Sequence, residues 1–260
     1  MKYLVIQRRN AIKALLMEKG SVTISEVVDK FGISVETVRR DFDALAEEGF
    51  LNKIYGGATL RKRTSASAPI ALLNNTFSEG KNRIAARAVR FVKNGDTIFL
   101  DSSDTVLRMC PGLMNKEITV LTNSLKVIEK LSESRSVRLI CVGGLYYPAE
   151  EEFRGAIALN IIDQLQVDRA FITCRSFDFH YGIATTDEDQ AYFKKKLLAH
   201  AVQVNLLADH SRFGRLSFAK FADFEDISNV FTDEAISPEW KEFFDSKSVS
   251  YYECLSNEPV

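Results

Sequence analysis

Apolar residues recur at spacings of three and four in three segments near the start of the chain. The segments cover residues 8–20, 23–32 and 33–50. Such spacing places the apolar side chains on one face of a helix. The pattern therefore predicts three amphipathic helices. They are expected to stop at Gly20, Gly32 and Gly49.

A short segment with two strand patterns follows the third helix. It reads "FLNKIYGGATL", residues 50–60, and its central Gly-Gly pair is typical of a turn. The turn between the second and third helices has about three residues, which is the spacing of a helix-turn-helix. Because a hairpin is added to it, the order of elements predicts a winged helix-turn-helix domain over residues 1–58.

The third predicted helix has two chemically different sides. Ser34 is a suitable N-cap residue, and Glu36 in the first turn complements the helix dipole. At about 100° per residue, Arg40 lies nearly opposite the apolar side, with Thr37 near it and Arg39 on the flank. A recognition helix needs this arrangement in the major groove, whereas a solvated face is the alternative. The predicted buried side consists of Val35, Val38, Phe42 and Leu45.

The remainder of the chain alternates between apolar strand patterns and helices. Continuous apolar strands that alternate with helices predict a parallel sheet covered on both faces. The predicted strands are residues 96–101, 117–123, 137–144, 169–174, 203–209 and 227–233, and the helices are 81–92, 123–131, 153–165 and 190–202. The resulting division is a linker over 59–80, an effector-sensing α/β domain over 81–240 and a C-terminal extension over 241–260.

The charge distribution supports a difference between the two parts. The chain has a net charge of −1, but residues 1–63 hold 12 of its 34 basic and 8 of its 35 acidic residues. The net charge is therefore +4 in this part and −5 in the rest. A basic front end is typical of a part that meets a polyanion.

Other classes of protein are disfavoured by what the sequence contains. No apolar run approaches the length of a membrane span, and "YLVI" is too short for a signal peptide, so we expect a cytoplasmic protein. The four cysteines show no metal-binding spacing. Cys141 and Cys174 lie in apolar runs and are expected to be buried thiols. We expect no metal and no cofactor.

The segment "SVETVRRDFDALAEEGFLNKIYGGA" resembles the DeoR-type bacterial transcriptional regulators. The matching residues are Ser34, Thr37, Val38, Arg39, Arg40, Asp41, Leu45, Gly49, Gly56, Gly57 and Ala58. Lys53 and Tyr55 replace the Arg and His that are common in the wing of this family. The resemblance implies that double-stranded operator DNA is bound by Ser34, Glu36, Thr37, Arg39, Arg40, Lys53, Tyr55, Gly56 and Gly57.

Three polar segments follow predicted strands of the second part. They are residues 101–105, 122–124 and the Gly143-Gly144 pair. Ligands of parallel α/β sheets bind at the carboxyl ends of the strands, and small polar loops suit an anion or a sugar. A serine or glycine after a strand is also common in ordinary turns.

The resemblance to the DeoR family extends into this second part. It implies a fold similar to ribose-5-phosphate isomerases and CoA transferases, and a phosphorylated sugar as effector. Ser103 and Asp104 depart from the glycine and threonine of the family pattern, and Arg175 and Ser176 lie where glycine is usual. The implied effector-binding residues are Asp101, Ser102, Ser103, Asp104, Thr105, Asn123, Gly143, Gly144, Lys194 and Arg212.

Three functions remain open on the sequence alone. The first is a repressor of a sugar or carbohydrate operon that a small sugar or sugar phosphate releases from DNA, assembled as a homodimer or tetramer. The second is an isomerase-like enzyme acting through Asp101, Asp168, Lys194 or Asp209. The third is a DNA-binding protein without an effector.

Overall fold

The computed structural model describes residues 2–19, 21–47, 50–60 and 77–256. They divide after Ser78 into two compact units. The helix stops predicted at Gly20 and Gly49 lie outside the described residues, as does most of the predicted linker, 61–76. No helix in the described part of the chain is both long enough and apolar enough to cross a membrane.

The first unit has the predicted winged helix-turn-helix architecture. Its elements are α1 Lys2–Lys19, β1 Ser21–Thr23, α2 Ile24–Phe31, α3 Val35–Glu47, β2 Leu51–Ile54 and β3 Gly57–Leu60. Strand β3 pairs antiparallel with both β2 and β1. The sequence pattern did not predict β1, because three residues are too few to show an alternation and their pairing partner is distant in the chain.

Local hydrogen bonds fix the turn between α2 and α3. Thr23 and Glu26 form a reciprocal capping box at the start of α2, with the Glu26 N–H donating to Thr23 Oγ1 at 3.1 Å. Gly32 ends α2 at φ 61° and donates its N–H to the Val28 carbonyl at 2.8 Å. Ser34 Oγ then accepts from the Thr37 N–H at 3.3 Å. The predicted stop at Gly32 and the N-cap at Ser34 are confirmed.

The core of the first unit lies between the three helices and the small sheet. Val38, Phe42 and Leu45 of α3 are buried as predicted and pack with Ile12 and Leu16 of α1. Burying one such large side chain contributes roughly 1.5–3 kcal/mol. The prediction for Val35 was wrong, since its side chain is 45% exposed. Val35 is the first residue of α3 and precedes the turns that pack against α1.

A buried carboxylate connects α3 to α1. Asp41 accepts from Arg8 Nε at 2.6 Å and from Arg9 Nε at 2.9 Å, and its side chain is only 2% exposed. The helical pattern alone assigns an aspartate to the surface, because carboxylates are rarely buried unless paired. The burial of Asp41 therefore depends on two arginines that lie more than thirty residues earlier.

The second unit is built on a seven-stranded sheet. In chain order its elements are α4 Ser78–Val89, β4 Thr97–Leu100, α5 Asp104–Leu107, α6 Cys110–Leu113, β5 Ile118–Thr122, α7 Leu125–Leu131, β6 Val137–Cys141, β7 Leu145–Tyr147, β8 Glu152–Arg154, α8 Ala156–Ile162, β9 Val167–Ile172, β10 Ser176–Asp178, β11 Gly182–Thr185, α9 Glu188–Leu198, β12 Ala201–Leu207, β13 Ala219–Ala222, β14 Asn229–Thr232, α10 Pro238–Ser246 and β15 Ser250–Glu253.

All neighbouring strands of the large sheet are parallel, in the order β15-β14-β12-β9-β4-β5-β6. Among the described residues, the hydrophobic core of this unit consists of two clusters of buried side chains, and consecutive residues of one strand pack into different clusters. Ile98 and Leu100 of β4 pack on one face of the sheet, whereas Phe99 packs on the other. Both faces are therefore covered, and the predicted parallel α/β sheet is confirmed.

Two small antiparallel sheets were not predicted. They pair β7 with β8, and β11 with β10 and β13. Each strand has only three or four residues, which gives no clear alternation. The predicted helix over residues 153–165 instead contains part of β8 and the shorter α8, with Gly155 at φ 92° between them.

Some predicted boundaries and burial differ from the structure. Residues 241–260 were predicted as an extension, but β15 pairs in parallel with β14 and completes the large sheet. The linker predicted over 59–80 is shorter at both ends, since β3 runs to Leu60 and α4 begins at Ser78. Cys174 is buried as expected, but Cys141 is exposed. It is the last residue of β6, which lies at the edge of the sheet formed by the described strands.

Replacing Asp41 by asparagine should weaken the packing of α3 on α1. The expected loss is about 1–3 kcal/mol of unfolding free energy, because two arginines lose a buried charged partner. Hydrogen exchange of the α3 amides in the intact chain measures this loss. Asp43→Asn is the matched control, since Asp43 is half exposed and pairs with Lys53 at the surface. Equal losses in the two variants would contradict the role of Asp41.

Candidate functional site

The side of α3 opposite its buried residues is polar and accessible. Glu36, Arg39 and Arg40 are exposed, and the Thr37 hydroxyl lies 2.9 Å from that of Ser34. Arg40 Nε lies 3.5 Å from Glu36 Oε1, with the two side chains 77% and 65% exposed. An ion pair this exposed is weak and easily exchanged for another partner. The five predicted side chains of this helix are thus brought to one accessible region.

The tip of the hairpin holds the predicted wing residues. Tyr55 is fully exposed, and Lys53 pairs with Asp43 of α3. Gly56 has φ 76°, as expected for a turn that only glycine adopts readily.

Gly57, the second glycine of the pair, does not have a positive φ. A Cβ atom at Gly57 would lie 2.3 Å from the carbonyl oxygen of Val22, so close approach of β1 is what requires glycine there.

The predicted effector residues lie around the carboxyl ends of the parallel strands. Asp101 follows β4 and is buried. Its Oδ2 atom accepts from the Thr173 N–H at 2.7 Å and from Lys194 Nζ at 2.9 Å. Lys194 also donates to the Thr173 carbonyl at 2.6 Å. The charges of Asp101 and Lys194 therefore neutralise each other and hold β4, β9 and α9 together.

The loop after β4 and the first turn of α5 contain the four other predicted residues of that segment. Ser103 Oγ caps α5 by accepting from the Val106 N–H at 3.1 Å, and Thr105 is buried. The Ser102 hydroxyl donates to the buried carboxylate of Glu152. The Ser103 hydroxyl therefore serves the helix cap, whereas the Ser102 hydroxyl is directed at the Glu152 carboxylate.

Asp104 is paired with two cations. Its Oδ2 atom lies 3.4 Å from Lys81 Nζ and 3.1 Å from Arg108 Nη2. Burial lowers the pKa of Lys81, and Asp104 partly offsets that shift. The departure from the family pattern at this position thus introduces a carboxylate that already has its counter-charges.

The Asn123 side chain and the two glycines occupy the next strand ends. Asn123 Nδ2 donates to Glu152 Oε2 at 3.3 Å, whereas its buried Oδ1 atom has no hydrogen-bond partner among the described residues. Gly143 and Gly144 have φ values of 59° and 109°. A Cβ atom at Gly144 would lie 2.5 Å from the Arg154 carbonyl oxygen, so the glycine also serves the packing of β8.

Sequence reasoning missed the buried pair of Glu152 and Arg154. Arg154 Nε lies 2.8 Å from Glu152 Oε1, without the alignment of a hydrogen bond, and Arg154 also pairs with Asp187. Burial raises the pKa of Glu152, although Ser102 and Arg154 partly offset the shift. Both residues belong to the three-residue strand β8. The only local signal was the run of charges in "EEFRG", which looks like a surface segment.

Arg212 lies in a second charged group after β12. Its Nε atom is 3.3 Å from Asp209 Oδ2. Burial alone would raise the pKa of Asp209, but Arg212 and Ser211 more than offset this, and the pKa lies below its usual value. Burial and the neighbouring Arg212 lower the pKa of Arg175 to about 10. The charged residues named here, Arg175, Asp209 and Arg212, therefore carry a net positive charge.

The first unit is a winged helix-turn-helix with an accessible polar helix, and the second is an α/β domain with a polar cluster at its strand ends. This combination is typical of DNA-binding proteins with a second, ligand-binding domain. Residues 8–64 match the DeoR-like helix-turn-helix domain, and residues 76–234 match the DeoR C terminal sensor domain. The chain therefore belongs to the DeoR family and is a DNA-binding transcriptional regulator.

Several relatives resemble the chain over almost its whole length. The uncharacterized HTH-type transcriptional regulator YulB of Bacillus subtilis is 32% identical and covers 95% of both chains. The lactose phosphotransferase system repressor of Lactococcus lactis is 32% identical over 92% of this chain and 94% of its own. The glycerol-3-phosphate regulon repressor of Escherichia coli is 29% identical over 87% of this chain and 90% of its own.

One of the solved structures that resemble the chain matches about half of it. Ribose 5-phosphate isomerase A from Methanocaldococcus jannaschii is 17% identical, with a TM-score of 0.39 over 52% of this chain and 54% of its own.

Alanine at Gly57 should be more damaging than alanine at Gly56. Gly56→Ala introduces backbone strain of about 1 kcal/mol at a positive φ, whereas Gly57→Ala forces β1 and β3 apart by a clash with the backbone of Val22. Chemical denaturation compares their stabilities, and titration with specific and random DNA compares their binding. If the wing contacts the phosphate backbone, as the predicted DNA-binding residues imply, both DNAs should lose affinity by a similar factor. A loss confined to one operator base would be incompatible with this role.

Proposed function

We propose that the protein is a sequence-specific repressor of a sugar or carbohydrate catabolic operon, released from double-stranded operator DNA by a small sugar or sugar phosphate. The observation that carries the proposal is the accessible polar side of α3, with Arg40 opposite the buried Val38 and Phe42. The relatives named as repressors of a glycerol-3-phosphate regulon and of a lactose system support the choice of sugar metabolism.

In this proposal the first unit contacts DNA in two ways. The side chains of α3 enter the major groove, where arginine can read guanine through two hydrogen bonds. The wing follows the phosphate backbone, with Lys53 exchanging its surface partner Asp43 for a phosphate. The proposed DNA contacts are Ser34, Glu36, Thr37, Arg39, Arg40, Lys53, Tyr55, Gly56 and Gly57.

The proposed effector site surrounds the strand ends of the second unit. Asn123 and Glu152 suit hydroxyl groups, since one offers a buried acceptor without a partner in the described residues and the other a buried carboxylate. Asp101 and Lys194 position the strand ends. The proposed site is Asp101, Ser102, Ser103, Asp104, Thr105, Asn123, Gly143, Gly144, Lys194 and Arg212, with Glu152 added.

The proposal has consequences for assembly and location. A repressor that reads paired half-sites is expected to form a dimer or a larger symmetric assembly, which sedimentation of the operator complex measures. A protein that acts on a bacterial chromosome works in the cytoplasm. Neither role calls for a cofactor or a metal.

An enzymatic function is the main alternative, and Glu152 is the residue that favours it. A buried carboxyl group with a raised pKa is a candidate acid or base. Against this, Asp101 and Lys194 are paired, Asp209 is paired with Arg212, and Asp168 accepts from the Thr97 N–H at 2.7 Å. These contacts support structural roles. Turnover of a sugar phosphate would favour the enzyme. Operator binding that no sugar or sugar phosphate releases would favour the third alternative, a DNA-binding protein without an effector.

Arg40→Ala should weaken operator binding without destabilising the fold. If Arg40 reads a base, the loss is about 1–3 kcal/mol and falls mainly on one operator position. Fluorescence anisotropy with operator variants measures it. Arg138→Ala removes an exposed arginine of the second unit and is the matched control. Unchanged operator affinity in Arg40→Ala would show that this residue does not contact DNA.

Asn123→Ala should separate sensing from DNA binding. It removes the buried Oδ1 acceptor, so the sugar concentration that half-releases the operator is expected to rise by about tenfold, the equivalent of 1.4 kcal/mol. Operator affinity without sugar should stay unchanged. The measurement is operator release across a panel of sugars and their phosphates. A variant that responds like the parent would exclude Asn123 from the site.

A further inference from the structure

Three arginines lie together beside the carboxyl ends of β9 and β12. Arg175 is three residues past the end of β9, whereas Arg212 and Arg215 follow β12. The two segments are hydrogen-bonded to each other. Arg212 Nη1 donates to the Arg175 carbonyl oxygen at 3.3 Å, and the Arg215 N–H donates to the Phe177 carbonyl at 3.2 Å. We call these three residues the arginine cluster.

The Arg212 guanidinium acts on the guanidinium groups of both Arg175 and Arg215. Burial is the main cause that lowers the pKa of Arg175, and Arg212 is the next. The same two causes, in the same order, lower the pKa of Arg215. Asp209 pairs with Arg212 and partly offsets the repulsion. Asp209 is thus a carboxylate that acts on all three guanidinium groups.

Arg175 differs from the other buried charges of the chain. Its side chain is partly buried, yet it makes no ion pair and no hydrogen bond with the residues that the structure describes. By contrast, Arg154, Lys194 and Arg212 each have a carboxylate within 3.3 Å. A partly desolvated guanidinium that no carboxylate contacts is unfavourable, and a bound anion would reduce that cost.

The loop after β4 offers less to an anion than the arginine cluster does. Its two nearby cations, Lys81 and Arg108, already share the carboxylate of Asp104. Helix α5 has only four residues and adds little dipole. An incoming phosphate would meet the negative charge of Asp104 at this loop, whereas it would meet positive charge at Arg175.

We propose that Arg175, with Arg212 and Arg215, forms an anion-binding subsite of the sensor domain that takes a dianionic group such as a phosphate. The proposal rests on the proposed function only in assigning that phosphate to a sugar effector. Planar guanidinium groups bind phosphate through paired hydrogen bonds, which makes arginine the appropriate residue.

The test uses the full-length protein and its Arg175→Ala variant. Thermal unfolding is followed with inorganic phosphate, ribose, ribose 5-phosphate and glucose 6-phosphate, against chloride of equal ionic strength. Phosphate should stabilise the parent, and Arg175→Ala should weaken that binding by about ten- to a hundredfold. Without phosphate, the variant should be at least as stable as the parent, because it removes a partly buried positive charge that the neighbouring Arg212 repels. Arg138→Ala, which loses an exposed arginine, is the control, and Arg175→Gln serves if the alanine variant does not fold.

The outcomes separate this inference from the proposed function. No stabilisation of the parent by phosphate, or equal phosphate binding by the parent and the Arg175 variants, would overturn the subsite. Lower stability of the variants in chloride alone would indicate a structural role and would also overturn it. Phosphate binding that is lost in the variants, with no sugar phosphate binding more tightly than phosphate itself, would support the subsite and contradict the sugar phosphate effector.

Discussion

A charge that is removed from water must meet an opposite charge or a set of hydrogen bonds, and both units depend on this constraint. In the first unit, Asp41 meets Arg8 and Arg9, which fixes α3 on α1. In the second, Asp101 meets Lys194 and Thr173, which holds the ends of β4 and β9 against α9. The polar side of α3 and the polar strand ends are in place because these buried pairs are satisfied.

The same constraint separates structural charges from charges that suit a ligand. Charged groups whose partners lie within the chain, such as Asp104 and Lys194, are neutralised and position their neighbours. Groups without a complete set of partners in the described residues are the candidates for binding. Arg175 and the Oδ1 atom of Asn123 are of this kind. One suits an anion and the other a hydroxyl group, as a sugar phosphate would require.

The sequence predicted those features that depend on local pattern. Gly32 and Ser34 mark the turn before α3, and long apolar runs mark the parallel strands, because capping and burial on both faces leave clear local signals. The short strands and the burial of Asp41 and Glu152 could not be predicted in this way. The two buried carboxylates depend on partners distant in the chain, such as Arg8 for Asp41 and Ser102 for Glu152. The short strands have too few residues for a clear alternation, even where they pair with a neighbour close in the chain. The burial of charge is therefore visible only once the chain is folded.

The central claim is that ligand binding by the sensor domain and operator binding by the winged helix-turn-helix are coupled. Thermodynamic linkage requires that coupling to be reciprocal. The most direct measurement is the calorimetric affinity of the full-length protein for the releasing sugar or sugar phosphate, with and without saturating operator DNA. We expect operator to weaken sugar binding by the factor by which the sugar weakens operator binding. An affinity for the sugar that operator DNA leaves unchanged would contradict the account.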